Sequence, residues 1–134
     1  MMKIDPSSYI PFYEQIKAQI KHLISIGDLG PRDSLPSIRD LATRLIVNPN
    51  TVARAYRELE IEGFIYTRKG KGCFVSDDSS VVLEKEKQSI LSRLFDSAIE
   101  EASKFNLDSD EIKRLFEKRI NRAREIKEGG NKNG

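Results

Sequence analysis

The chain has 134 residues, of which 38% are hydrophobic and 33% charged, and a formal net charge of +2. That composition fits one globular domain, or one domain with a small appendage, and excludes a large multidomain enzyme. No apolar run is long enough to span a membrane and the first residues lack the stretch of a secretory signal, so no membrane partner and a cytoplasmic location are expected.

Residues 1–76 carry 11 basic against 8 acidic side chains, and residues 77–134 carry 12 against 13. The basic excess is modest, so local clustering has to carry any nucleic-acid reading. A single cysteine, Cys73, excludes an internal disulfide, and with the single histidine, His22, it cannot assemble a Cys/His metal cluster. No metal, cofactor or catalytic residue is expected, because His22 lies between Lys21 and Leu23 without a partner for general base work.

The predicted elements follow in chain order. Tyr9, Tyr13, Ile16, Ile20, Leu23 and Ile24 recur at helical spacing, which predicts a first helix from Tyr9 to Ile26 that stops at Gly27. Ser37 with Asp40 three positions on reads as a capping box, and Ile38, Leu41, Ala42 and Leu45 supply a short second helix. Asn48 suits an N-cap and Pro49 the first helical position, which starts a third helix running to about Glu62 and burying Val52, Tyr56 and Leu59.

The period then changes. Phe64 to Thr67 and Cys73 to Val75 are β-prone, and between them Arg68-Lys69-Gly70-Lys71-Gly72 forms a basic, glycine-rich tip. The polar run from Ser76 to Ser80 is the expected domain boundary. Two amphipathic helices follow, over about 80–105 and 109–127, and the tail 129–134 is expected to be disordered. The predicted fold class is mostly α with a small β-hairpin wing. It divides into an N-terminal winged helix-turn-helix over 1–76 and a two-helix dimerisation or regulatory region over 77–128.

Three helices followed by a hairpin with a basic tip is the element order of a winged helix-turn-helix, in which the third helix enters the major groove. A helix ordinarily favours acids in its first turn and bases in its last. Here Asn48 to Arg57 contains no acid and includes Arg54 and Arg57, whereas Glu58, Glu60 and Glu62 crowd the far end. That reversal suits a helix start offered to phosphates, with Asn48, Asn50 and Thr51 able to reach base edges. The bland alternative is that Asn48 only caps, Thr51 faces solvent and the acids are chance. Arg39, at the start of the second helix, is either a DNA contact or a solvated arginine. The tip cations suit phosphate binding beside such a helix.

Leu35-Pro36-Ser37-Ile38-Arg39-Asp40-Leu41-Ala42, then Val47 to Gly63, then Gly70-Lys71-Gly72-Cys73-Phe74-Val75 closely resemble the signature of the GntR family of bacterial transcriptional regulators, over about residues 8–76. The resemblance implies a dimeric winged-helix protein on a short palindromic DNA operator, with contacts from Arg39, from Asn48, Asn50, Thr51 and Arg54, and from Lys69 and Gly70. With the neighbouring groups, the candidate DNA-binding set is Ser37, Arg39, Asn48, Pro49, Asn50, Thr51, Arg54, Arg57, Arg68, Lys69, Gly70 and Lys71. Two positions depart from the family. Ile46 stands where glycine is frequent, so a different or a strained turn is expected. Cys73 replaces a small polar residue and is expected to be half-buried.

The region after residue 76 is too short for a large effector domain, and its two helices resemble the YtrA-like subfamily, whose members commonly repress operons for ABC-type transporters. Helices this short bury too little surface alone. They are expected to form a homodimer through Leu83, Ile90, Leu91, Leu94, Phe95, Ala98, Ile99, Ala102, Ile112, Leu115 and Phe116; the alternative is packing on the subunit's own winged helix. No residue identifies a small-molecule effector. The rival function is a winged-helix protein-protein interaction module without DNA binding, which has no need of an acid-free helix start or a cationic tip.

Overall fold

The computed structural model describes residues 2–133, with side chains described to Gly129. Its elements are α1 (Phe12–Ser25), α2 (Ile38–Leu45), α3 (Pro49–Ile61), β1 (Ile65–Arg68), β2 (Gly72–Val75), α4 (Ser79–Lys104) and α5 (Ser109–Asn133). Among the described residues no helix is long and apolar enough to cross a membrane.

Pro11 decides where α1 begins. Proline pushes the residue before it out of the helical region, so α1 opens three positions later than the spacing of Tyr9 suggests. Tyr9 is 97% exposed instead of joining the buried face. The other starts are capped as their sequences require. The Asp40 N–H donates to Ser37 Oγ at 3.0 Å, and the Asn50 N–H donates to Asn48 Oδ1 at 2.8 Å with Pro49 in the first turn.

Ile16, Ile20 and Ile24 of α1, Leu41 and Ala42 of α2, Val52, Ala55, Tyr56 and Leu59 of α3, and Phe64, Ile65 and Val75 of the hairpin form one buried cluster. Tyr56 keeps its hydroxyl satisfied inside that cluster by donating to the Pro36 carbonyl at 2.7 Å. This bond ties α3 to the segment leading into α2. Burial pushes the Tyr56 hydroxyl well above its ordinary pKa.

The hairpin pairs Ile65 with Val75 through to Arg68 with Gly72. A three-residue tip turns on Gly70, at φ +75°, with the Lys71 N–H donating to the Arg68 carbonyl at 2.9 Å. β2 has a second neighbour. Ser34 bridges to Phe74, and the Leu35 N–H donates to the Cys73 carbonyl at 2.9 Å. On the outer side of β1, the Thr67 N–H and Oγ1 both donate to the Glu60 carboxylate, at 3.1 and 3.2 Å.

Two compact units emerge, one reaching Gln88 and one beginning at Ser89, so the first turns of α4 belong with the winged helix. Leu83, grouped in the sequence with the dimerisation residues, lies instead in the winged-helix core at 8% exposure. It is thereby withdrawn from any outer surface. The second unit is a helix pair. The Phe95 and Phe116 rings meet edge to face at 5.6 Å, and the Glu111 N–H donates to Asp108 Oδ1 at 2.9 Å to open α5. α5 runs on to Asn133; the side chains of the tail expected to be disordered lie, from residue 130 on, outside the described residues.

Candidate nucleic-acid interface

Each element contributes named groups. In α2, Ser37 is engaged as a cap, whereas Arg39 is exposed and makes no ion pair among the described residues. At the start of α3, Asn48 caps, Pro49 and Asn50 are exposed and Thr51 is half-buried. The first turn of α3 holds no acid, so its positive dipole end meets no neutralising charge within that turn. Arg57 is exposed further along the same helix. Arg68, Lys69, Gly70 and Lys71 are exposed at the wing tip. A Cβ added at Gly70 would meet nothing within 4 Å, so it is the positive φ, and not crowding within the chain, that calls for glycine there.

Arg54 is placed differently from its neighbours. Its guanidinium lies 3.7 Å above the Tyr13 ring and its Nε donates to Glu58 Oε2 at 3.1 Å. It still exposes 55% of its side chain, so the internal contacts hold it without hiding it.

The acids at the end of α3 prove to be structural. Lys17, with 9% of its side chain exposed, reaches Glu58 Oε1 at 2.9 Å and Glu62 Oε2 at 3.0 Å. Burial opposes the charge on Lys17, but the hydrogen bonds to Glu58 and Glu62 outweigh it and raise its pKa above the ordinary lysine value. The same bond from Lys17, joined by Arg54, holds the Glu58 carboxyl below its ordinary range. Glu60 secures the wing. The reversed charge order of α3 therefore has two separate causes: the acid-free start faces outward, and the acid-rich end answers cations on α1.

Tyr13, Lys17 and Lys21 are the residues that a reading along one helix at a time misses. A signal was present, since Lys17/Lys21 and Glu58/Glu62 repeat at the same four-residue spacing with opposite charge.

Ile46 adopts φ 56°, ψ 52° at the end of α2, the strained alternative of the two expected there. A left-handed residue other than glycine costs about 1–2 kcal/mol, and Ile46 recovers little by packing because it is 91% exposed. Cys73 is half-buried, with its Sγ 3.5 Å from Thr67 Oγ1.

In the second unit the expected dimerisation residues on α4 and α5 are largely open to solvent, with Leu94 at 59%, Ile99 at 51% and Leu115 at 54% exposure. Phe95, Ala98, Ile99, Ile112 and Phe116 line an apolar cavity of about 250 Å³ with Lys113 beside it. Ala102 and Ile112 are half-buried.

A helix-turn-helix followed by a basic hairpin defines the winged-helix class of DNA-binding proteins. Residues 12–75 match the family model "Bacterial regulatory proteins, gntR family". The chain is 47% identical over 91 residues, 68% of its length and 70% of the relative's, to the HTH-type transcriptional repressor YtrA of Bacillus subtilis (strain 168). It thus belongs to the GntR family of bacterial transcriptional regulators. Among solved structures it is similar to a transcriptional regulator from Oenococcus oeni, with a TM-score of 0.70 and 32% identity over 87% of this chain and 97% of that one. It is also similar to AraR(DBD) in complex with operator ORX1, with a TM-score of 0.50 and 29% identity over 55% of this chain and 90% of that one.

Proposed function

We propose that the chain is a homodimeric, cytoplasmic repressor that occupies a palindromic operator and controls an operon for an ABC-type transporter. The start of α3 enters the major groove with Asn50 and Thr51 at base edges. Arg39, Arg57 and the wing residues Arg68, Lys69, Gly70 and Lys71 hold the flanking backbone. Ser37, Asn48 and Pro49 serve by shaping the two helix starts.

The carrying observation is electrostatic: the acid-free first turn of α3 shares the winged helix with cations at Arg39, Arg57, Lys69 and Lys71 that make no ion pair among the described residues. The apolar stripe on α4 and α5 supports a two-fold dimer, which sets two recognition helices on successive turns of the duplex. Release follows from a small change in dimer geometry, and a small-molecule effector is the simplest agent of that change.

The test is binding, by fluorescence anisotropy, to fragments selected from genomic DNA. Affinity is expected to fall steeply with salt as phosphate counterions are displaced, and Arg39→Ala is expected to weaken it by about 1–3 kcal/mol. Absence of binding to any selected fragment overturns the reading.

A further inference from the structure

Two stripes face each other across α1 and α3. Tyr13, Lys17 and Lys21 recur every four residues on α1, and Arg54, Glu58 and the C-cap residue Glu62 every four along α3, so each set occupies one helix face. They meet in order. Arg54 lies over Tyr13, Lys17 bonds Glu58 and Glu62, and Lys21 Nζ lies 3.4 Å from Glu62 Oε1. Glu86, near the start of α4, extends the row by taking Lys21 Nζ at 2.7 Å. Lys21 also sits 4.9 Å above the Phe64 ring, which keeps it over the core.

From Glu86 to Arg54 the charges alternate in sign without a break. The two lysines are the driest members, with 9% of the Lys17 side chain and 18% of the Lys21 side chain exposed. Screening by solvent is therefore weakest around them.

Each interior group has at least two partners of opposite charge, with Lys17 also 3.9 Å from Glu14, and each carboxylate meets its two cations with separate oxygens, so neighbouring links are coupled through the position of the side chain they share. Withdrawal of Glu86 would leave Lys21 to Glu62 alone, and a shift of Glu62 towards Lys21 would leave Lys17 to draw Glu58 away from Arg54, freeing Arg54 to meet a phosphate.

We propose that Glu86, Lys21, Glu62, Lys17 and Glu58 are positioning residues for Arg54, a row through which the seating of the first turns of α4 on α1 sets how strongly Arg54 is held back from DNA. The proposal rests on the DNA-binding reading above and adds a regulated contact to it. It links the helix that leads into the second unit with the recognition helix by contacts wholly inside the winged-helix unit.

The experiment is a double-mutant cycle on DNA affinity in the full chain. Glu86→Gln is expected to tighten binding to a selected fragment by at least about two-fold, and in an Arg54→Met background the gain is expected to shrink to the part that net charge alone supplies. Removing any acid raises net charge and strengthens DNA binding at long range, but that effect persists without Arg54, so the cycle separates the two. Glu86→Asp keeps the charge and shortens the reach, and tightening is expected there as well. Thermal unfolding of each variant confirms that folded protein is compared. No tightening with either variant, or equal tightening in both backgrounds, overturns the proposal while leaving the DNA-binding reading intact; a wild-type chain that binds no fragment overturns both.

Discussion

The winged-helix unit and the helix pair after it differ in what their apolar side chains touch. Phe64 is 0% exposed among residues from three helices and a hairpin, whereas Phe95, an aromatic residue of α4, is 46% exposed. The first unit finishes its own core within one chain. Most apolar residues of the second stand on an open face.

Making the same substitution on each side sharpens the contrast. Phe64→Ala is expected to lower unfolding stability by about 3–5 kcal/mol, read from urea midpoints at constant slope. Phe95→Ala is expected to leave that core intact and to weaken self-association by roughly ten-fold, about 1.4 kcal/mol, read by sedimentation equilibrium. If Phe95→Ala costs as much as Phe64→Ala at every protein concentration, the helix pair has a core of its own and the contrast breaks.

Acid is expected to reach the first unit through Glu58. Its pKa is lowered from the ordinary 4.5 by the Lys17 and Arg54 bonds, so the stability it contributes is complete above that value and is lost as pH falls through the lowered one. Lys17 has the opposite sign. Its stabilisation holds below the ordinary 10.5 and is lost as pH rises through its raised pKa. Thermal midpoints followed down to about pH 3 are therefore expected to fall less in Glu58→Gln than in the wild type; equal acid limbs would remove Glu58 from the account.

The smallest effect is expected at the turn between α2 and α3. Ile46→Gly relieves the left-handed strain and is expected to add up to about 1 kcal/mol, or a few degrees in Tm, with scanning calorimetry as the measurement. A loss of stability would mean that the exposed isoleucine contributes contacts outweighing its backbone strain.

Local chemistry was the legible part of the sequence. The caps at Ser37 and Asn48, the proline in the first turn of α3, the stop at Gly27 and the tip at Gly70 depend on neighbours within a few residues, and each stands where the sequence placed it. What was hidden depends on distance along the chain. Glu58 and Glu62 find their cations 41 residues upstream on α1, and helical periodicity says nothing about which stripe another stripe will meet. Leu83 fits the apolar pattern of α4 but belongs to the other unit, because the break between units falls inside a helix and leaves no mark in composition.

The bond from Thr67 to Glu60 reaches beyond the positioning of the wing. A two-stranded hairpin ordinarily offers its outer backbone donors to any extended peptide that drifts alongside, the usual route to sheet growth between molecules. Here β2 is flanked by β1 and by the bridge at Ser34, and on the far side of β1 a carboxylate already occupies the Thr67 N–H. Glu60 acts as a stopper on an open ladder, so the wing can project a cationic tip without inviting strand-on-strand clumping.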